Sequence, residues 1–256
     1  MRLEVKNLCF SYRDVSILQD VSFQAHTHGI TAIMGPNGSG KTTLLRCINR
    51  ILSPHSGEVL LGDRSIAELS TREIARSIAY VAQKNQTCTM NVFDAVLLGR
   101  VPHIRLNISE DDIVKTTGII DRLGLSSLSM RPLYQLSGGE LQKVSIARAL
   151  VQDTPLILLD EPTASLDIKN QVAIISLLHE ISQEQGIKVL MSIHDLNTAF
   201  QFADQFLFMK GGRLVAVADH REAITPEIIE DVYDIPVDMR WHQKVPLVTP
   251  RVYRKY

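Results

Sequence analysis

The nine residues GPNGSGKTT, positions 35–43, follow the apolar run GITAIM and precede a segment with helical periodicity. The spacing Gly-x-x-x-x-Gly-Lys-Thr between a strand and a helix is typical of a phosphate-binding loop, whose glycines let successive backbone N–H groups surround an anion. We expect Lys41 to reach the β- and γ-phosphates of a nucleotide and the Thr42 hydroxyl to bind Mg²⁺. The alternative, a chance glycine-rich turn, fits this context poorly. The predicted loop residues are Gly35, Pro36, Asn37, Gly38, Ser39, Gly40, Lys41, Thr42 and Thr43.

The segment PLILLDEP, residues 155–162, predicts an acidic partner for this loop. Its apolar residues favour a buried strand, and the carboxyl ends of such strands lie beside the phosphate site in open α/β sheets. We predict that Asp160 is the carboxylate on the Mg²⁺ side of the site. Glu161 is the candidate that orients or deprotonates an attacking water. The alternative for Glu161 is a solvated carboxylate at a strand end.

A Ser-Gly-Gly motif begins another predicted helix in LSGGELQKVSIARAL, residues 136–150. Ser137 and Glu140 fit a capping box, which is the alternative explanation for this motif. A capping box does not explain Gly138 and Gly139, because glycine is less favourable than alanine in a helix by up to about 1 kcal/mol. Bare glycines leave backbone N–H groups open to an anion, so we predict a second anion-binding element here. The helix behind it has one apolar stripe, formed by Leu141, Val144, Ala147 and Val151.

Strand and helix candidates alternate along most of the chain and predict an α/β fold. We interpret residues 1–256 as one domain: an α/β core of residues 1–90 and 153–218, a helical subdomain of residues 91–152, and a C-terminal extension of residues 219–256, whose role the sequence leaves unassigned. Two predicted helical faces can be compared with the structure. The first comprises Leu44, Leu45, Ile48, Ile51 and Leu52, and the second comprises Ile113, Thr117, Ile120 and Gly124.

Charge and cysteine content restrict the classes of function. Lys and Arg number 27 against 28 Asp and Glu, a net charge of -1, which gives no overall basis for binding nucleic acid or anionic lipid. Cys9, Cys47 and Cys88 lack the spacing of a metal or disulfide motif, so we expect reduced thiols. No apolar run approaches the roughly 18 residues of a spanning helix. These features favour a soluble intracellular domain.

With LSGGE before LILLDEP and a histidine after the next strand, the sequence resembles the ATP-binding-cassette family of ATPases over about residues 3–219. The resemblance implies ATP and Mg²⁺ as ligands. It also implies a phosphate-loop NTPase core with a mostly parallel sheet, an N-terminal antiparallel β subdomain and an inserted helical subdomain. In that family two cassettes bind head to tail. Ser137, Gly138 and Gly139 would then face the partner's phosphate loop, and we favour an identical partner because both half-sites look complete.

The same resemblance implies roles for four further residues. Tyr12 matches the aromatic residue that stacks on adenine, although an ordinary strand tyrosine is the alternative. Gln83 matches the glutamine that contacts Mg²⁺ or the attacking water. Asp167, close to Ser165, matches the loop that crosses the dimer seam. His194 matches the histidine that contacts the γ-phosphate.

Within that family, SIHDLNTAFQFADQFLFMKGGRLVA and the C-terminal ITPEIIEDVYDIPV are most similar to importers of iron–siderophore complexes, haem, cobalamin or related metal compounds. The resemblance implies a motor subunit at the cytoplasmic face of the membrane, attached to integral permease subunits and served indirectly by a substrate-binding protein. Residues 84–100 are the candidate permease contact. A soluble cassette, for example in iron–sulfur cluster assembly, is the main alternative. A small-molecule kinase is a weaker one, because it gives the Ser137 motif and Asp167 no role.

Overall fold

The computed structural model describes residues 2–26, 28–83, 88–164 and 166–251. Its strands are β1 (Leu3–Tyr12), β2 (Val15–Ala25), β3 (Gly29–Met34), β4 (Ser56–Leu61), β5 (Arg64–Ser65), β6 (Ile78–Val81), β7 (Leu156–Leu159), β8 (Lys188–Ser192), β9 (Gln205–Lys210), β10 (Arg213–Ala218), β11 (Val237–His242) and β12 (Val245–Pro250). Its helices are α1 (Lys41–Ile48), α2 (Thr71–Ser77), α3 (Val92–Leu97), α4 (Glu110–Arg122), α5 (Gly138–Val151), α6 (Ile168–Gln185), α7 (Leu196–Phe202) and α8 (Pro226–Tyr233). No helix within the described ranges combines the length and apolar character that crossing a lipid bilayer requires.

The central sheet has the strand order β10-β9-β3-β8-β7-β6. Neighbouring strands from β9 to β6 run parallel, and β10 pairs antiparallel with β9. Every residue of β3, β7 and β8 is buried, as expected for strands covered on both faces. The predicted α/β fold with a mostly parallel sheet is therefore confirmed. Because β3 and β7 are both parallel neighbours of β8, the segments that follow all three strands meet at one edge of the sheet.

A second sheet, in the order β2-β1-β4-β5, is antiparallel throughout. Alternating residues of β1, such as Leu3 and Val5, are buried and join a hydrophobic cluster with Leu44 and Leu45 of α1. The cluster also includes Leu190 of β8, so it continues to the central sheet. This arrangement matches the expected N-terminal antiparallel β subdomain, and it fixes the helix that follows the phosphate loop against the sheet.

Helices α3, α4 and α5 form the expected helical insertion, between β6 and β7. A buried ion pair joins its parts: Arg100 Nε donates to Asp112 Oδ1 over 2.8 Å, and Arg100 also donates to the Val151 carbonyl oxygen. This pair explains why the predicted buried face of α4 is wrong in part. Ile120 is buried as predicted, but Asp112 and Thr116 are buried beside it, whereas Ile113 is 45% exposed.

The predicted apolar face of α1 is also wrong at its end. The helix stops at Ile48, and Arg50 adopts a left-handed conformation with φ of +52°. The Ile51 N–H then donates to the Arg46 carbonyl oxygen, the six-to-one hydrogen bond of a Schellman motif. Ile51 is consequently beyond the helix and 53% exposed. The sequence lacks the glycine that usually marks such an end.

The described part of the C-terminal extension, residues 219–251, contains α8 and the β11–β12 hairpin. Ile229, Val232 and Val248 belong to the main hydrophobic core, so the extension is packed against the α/β core. The Asn197 side chain of α7 bonds both the N–H and the carbonyl oxygen of Val248, and thereby fixes the hairpin to α7. At the end of α8, the Tyr233 hydroxyl accepts a 3.0 Å hydrogen bond from the Gly35 N–H at the start of the phosphate loop.

Replacing Tyr233 with phenylalanine tests the contribution of this bond. Y233F keeps the ring but leaves the buried Gly35 N–H without its acceptor, so we expect the free energy of unfolding to fall by about 1–3 kcal/mol. Guanidinium chloride unfolding measures this change. Y134F is the control, since the Tyr134 ring is 57% exposed, and it is expected to shift stability by no more than about 0.5 kcal/mol. Equal unfolding midpoints for Y233F and the wild type would contradict the assignment.

Candidate functional site

The predicted phosphate loop connects β3 to α1 at the carboxyl edge of the central sheet. Gly35 has a φ of +144°, and a Cβ there would lie 2.1 Å from the Met209 carbonyl oxygen, so only glycine fits. Gly40 is left-handed and precedes the first helical residue, Lys41. The loop borders a cavity of about 220 Å³, lined by Ile17, residues 37–43 and Glu161. Backbone N–H groups at the start of α1 thus adjoin a space that an anion can enter.

Lys41 lies within this loop. Its Nζ donates to the carbonyl oxygens of Gly35 and Pro36, over 2.8 and 2.9 Å. Burial lowers the pKa of the Lys41 ammonium, and the nearby carboxylates of Glu161 and Asp160 partly offset that effect. A positive charge is therefore positioned beside the cavity before any phosphate binds.

Asp160 follows β7 and is fully buried. Its Oδ1 accepts hydrogen bonds from the Thr42 hydroxyl, at 2.9 Å, and from the Ser192 hydroxyl, at 3.0 Å. Burial raises the pKa of the Asp160 carboxyl, while these two hydrogen bonds oppose the rise. The other carboxylate oxygen, Oδ2, is buried and has no hydrogen-bond partner in the described part of the chain.

The arrangement of Asp160 and Thr42 fits Mg²⁺. An unpartnered buried carboxylate oxygen beside a threonine hydroxyl supplies hard oxygen ligands, and Mg²⁺ is typically held by one or two carboxylates together with substrate phosphates. Within residues 2–26, 28–83, 88–164 and 166–251, no group of three or more His, Cys, Asp or Glu side chains could hold a metal ion. The Asp160 carboxylate and the Thr42 hydroxyl could supply the protein ligands of a Mg²⁺ ion whose other ligands are nucleotide phosphates.

Glu161 adopts an unusual backbone conformation, with φ of +49°. Its N–H donates to the Ser192 hydroxyl over 2.8 Å. Its carboxylate accepts a 2.5 Å hydrogen bond from Gln83 Nε2 on one oxygen and contacts His194 Nε2 through the other. The structure therefore joins Gln83, Glu161 and His194, which the sequence placed far apart. Glu161 also borders a second cavity of about 240 Å³, lined in part by Ser192, His194 and Thr198.

The Ser-Gly-Gly motif stands at the N-terminus of α5, as predicted. Ser137 and Glu140 form a complete capping box, and the hydrogen bonds from Ser137 lower the pKa of the Glu140 carboxyl. A Cβ on Gly138 would meet no heavy atom within 4 Å, whereas one on Gly139 would lie 3.3 Å from the Leu166 side chain. Neither glycine nor Ser137 lines the phosphate-loop cavity of the described chain. The helix end is thus open on one side and separate from its own chain's loop.

Tyr12 and Asp167 also lie outside that cavity lining. Tyr12 is the last residue of β1, is 43% exposed and packs edge-on against Phe10. Asp167 caps α6 by accepting a 2.8 Å hydrogen bond from the Asn170 N–H. Ser165, predicted to lie beside it, is outside the described residues.

Two residues at the site were missed in the sequence. Ser192 bonds both Asp160 and Glu161, and a signal existed, because it is a polar residue at the end of the apolar strand KVLMS. Tyr233 bonds Gly35 across 198 positions of sequence. No local pattern marks such a distant contact. Asp195 caps α7, because its carboxylate accepts a 2.6 Å hydrogen bond from the Thr198 N–H.

Comparisons with known proteins agree with this geometry. A family model described as ABC transporter matches residues 18–164. An uncharacterized ABC transporter ATP-binding protein of Methanocaldococcus jannaschii is 42% identical over 250 residues, covering 98% of each chain. The iron(3+)-hydroxamate import ATP-binding protein FhuC of Bacillus subtilis is 36% identical, covering 93% of this chain and 89% of the relative.

Solved structures give the same result. An inward-facing structure described as a metal-chelate type ABC transporter is 29% identical, with a TM-score of 0.83 and 98% of each chain covered. A dimeric bacterial ABC transporter cassette is also 29% identical, with a TM-score of 0.78, covering 84% of this chain and 97% of the other. Together with the phosphate loop and its acidic partners, these matches show that the chain belongs to the ABC transporter family and is an ATP-binding, ATP-hydrolysing cassette.

Proposed function

We propose that this protein is the ATP-hydrolysing subunit of a membrane importer for an iron–siderophore complex, haem or a related metal chelate. The supporting observation is the length of the match. The match to the metal-chelate type transporter covers 98% of the chain, so it must include most of the C-terminal extension. The match to the dimeric cassette covers only 84%. Relatives named for iron(3+)-hydroxamate, ferric enterobactin and hemin transport cover 93%, 91% and 96% of the chain.

In this proposal the protein lies at the cytoplasmic face of the membrane, bound to permease subunits that a substrate-binding protein supplies with cargo. Residues 84–100 remain the candidate permease contact. Residues 84–87 lie outside the described part of the chain. The rest of the segment, residues 88–100, contains α3. Near its end, the Leu98 side chain is 46% exposed and offers an apolar surface.

We infer that two identical copies enclose ATP between them. Ser137, Gly138 and Gly139 do not line their own chain's cavity, and the open side of Gly138 leaves room for another molecule. If the motif gives the partner's γ-phosphate two charge-assisted hydrogen bonds of about 1.5–3 kcal/mol each, two sites supply roughly 6–12 kcal/mol. This matches the estimated association cost of about 4–15 kcal/mol. Closure would depend on the γ-phosphate, so hydrolysis would release the dimer. Tyr12 would stack on adenine, and Asp167 would lie at the seam.

The proposed hydrolytic step uses groups that the structure brings together. Lys41 neutralises phosphate charge, and Thr42 and Asp160 would hold Mg²⁺. Bound Mg²⁺ would neutralise charge that develops on the phosphate oxygens. Glu161 orients or deprotonates the attacking water, and it is aligned by Gln83 and His194. His194 would reach the γ-phosphate from this position beside Glu161.

Changing Glu161 to glutamine tests the proposed base. E161Q keeps the size of the side chain but removes the proton acceptor, so we expect the hydrolysis rate to fall at least about 100-fold while ATP still binds. Phosphate release and nucleotide titration measure the two effects, and size-exclusion chromatography with ATP should show a trapped dimer. E184Q, on the exposed face of α6, is the control and should hydrolyse normally. Near-normal turnover by E161Q would refute the assignment.

Changing Ser137 to arginine tests whether the motif acts on the partner. S137R should abolish hydrolysis because the long side chain blocks the neighbour's site, yet the ATP affinity of the dilute monomer should stay unchanged. S127R, at an exposed serine of the same subdomain, is the control for the added charge. A loss of ATP affinity in monomeric S137R would place the motif in its own chain's pocket.

The transport assignment is tested in the native cells. A tagged copy should fractionate with membranes and co-purify with a permease of many spanning helices. E161Q in place of the wild type should abolish uptake of a radiolabelled iron chelate. Recovery only from the soluble fraction, with iron–sulfur assembly proteins bound and uptake intact, would instead support the soluble cassette.

A further inference from the structure

We propose that Ser192 is a positioning residue for ATP hydrolysis, whose one hydroxyl group fixes both the Asp160 carboxylate and the Glu161 backbone. The inference rests on the proposed roles of Asp160 and Glu161, and it adds a residue that neither the motifs nor the family resemblance indicated.

Ser192 is the last residue of β8 and is fully buried. Its Oγ donates to Asp160 Oδ1 over 3.0 Å and accepts from the Glu161 N–H over 2.8 Å. A serine hydroxyl has one proton to donate, and that proton is committed to Asp160. The two bonds therefore set the relative position of two adjacent acidic residues.

The bond to Asp160 determines which carboxylate oxygen is free. Oδ1 is occupied by the hydroxyls of Ser192 and Thr42, whereas the buried Oδ2 has no hydrogen-bond partner in the described structure. Loss of the Ser192 hydroxyl would remove one of the two hydrogen bonds that hold Oδ1. The carboxylate could then rotate, and Oδ2 would no longer be presented in a single direction.

The bond to Glu161 supports a strained backbone. Glu161 has a φ of +49°, in the left-handed region that non-glycine residues adopt only when their surroundings enforce it. In this conformation its carboxylate reaches Gln83 and His194. Without the Ser192 acceptor, the Glu161 backbone could relax toward ordinary angles, and its carboxylate would move away from these two partners.

The same chain provides a matched control. Ser182, near the end of α6, is also fully buried; its Oγ accepts from the Gly29 N–H over 2.9 Å and donates to the Ile187 carbonyl oxygen over 2.7 Å. It therefore joins two segments with the same hydrogen-bond pattern as Ser192. Its partner Gly29 begins β3, and its partner Ile187 directly precedes β8. Ser182 therefore lies at the amino-terminal edge of these strands, whereas the proposed catalytic groups lie at the carboxyl edge. A purely structural serine is thus available for direct comparison.

The experiment compares S192A and S182A in the full chain. Both variants should lower the thermal midpoint by similar amounts. S192A should lower kcat by about 10- to 100-fold, as expected for misplaced reacting groups. Its ATP affinity in EDTA should be unchanged, while the gain in affinity on adding Mg²⁺ should shrink. S182A should keep the wild-type kcat and the wild-type response to Mg²⁺.

S192C separates the loss of hydrogen bonding from a change in packing, because a thiol is similar in size to a hydroxyl but a weaker donor. The kcat of S192C should fall between those of S192A and the wild type. A kcat for S192A within twofold of S182A would overturn the proposal. Failure of both Ser192 variants to fold, with S182A folded, would also overturn it by showing a structural role alone. Normal turnover by E161Q would instead refute the underlying role of Glu161.

Discussion

The buried carboxylate of Asp160 connects the parts of this site. It is fully removed from solvent, yet its Oδ1 bonds Thr42 from the first turn of α1 and Ser192 from the end of β8. The phosphate loop, β7 and β8 therefore meet at one oxygen atom. Burying a charged group is costly unless hydrogen bonds or a cation compensate it, and these two hydroxyls supply hydrogen bonds at this position. The two hydroxyls satisfy Oδ1, and we propose that Oδ2 binds the metal ion.

A second constraint follows from the first. Asp160 follows β7 inside the protein, and the chain turns sharply at the next residue, which borders both cavities. Glu161 does so with a left-handed backbone and finds Gln83 on one side and His194 on the other. Gln83 precedes the helical insertion and His194 precedes α7. The Glu161 carboxylate therefore contacts two separate segments, one that leads into the helical insertion and one that leads into α7.

The sequence was sufficient for features that depend on local spacing. We could predict the α/β class, the strands before Gly35 and Asp160, and the helix after Ser137, because the pattern that indicates each of them lies in a run of adjacent residues. Features set by distant partners could not. The buried face of α4 shifted because Asp112 pairs with Arg100, and α1 ended early through a Schellman motif without glycine. Ser192 and Tyr233 were missed for the same reason, since their partners become neighbours only after folding.

The C-terminal extension contacts both sides of the candidate nucleotide site. Through Tyr233 it bonds the first glycine of the phosphate loop, and through Val248 it is tied to Asn197, three residues after His194. The extension therefore links the start of the phosphate loop to α7, two segments that border the cavities beside Glu161. Removing this tail would therefore free two segments at once, the start of the phosphate loop and the first turn of α7.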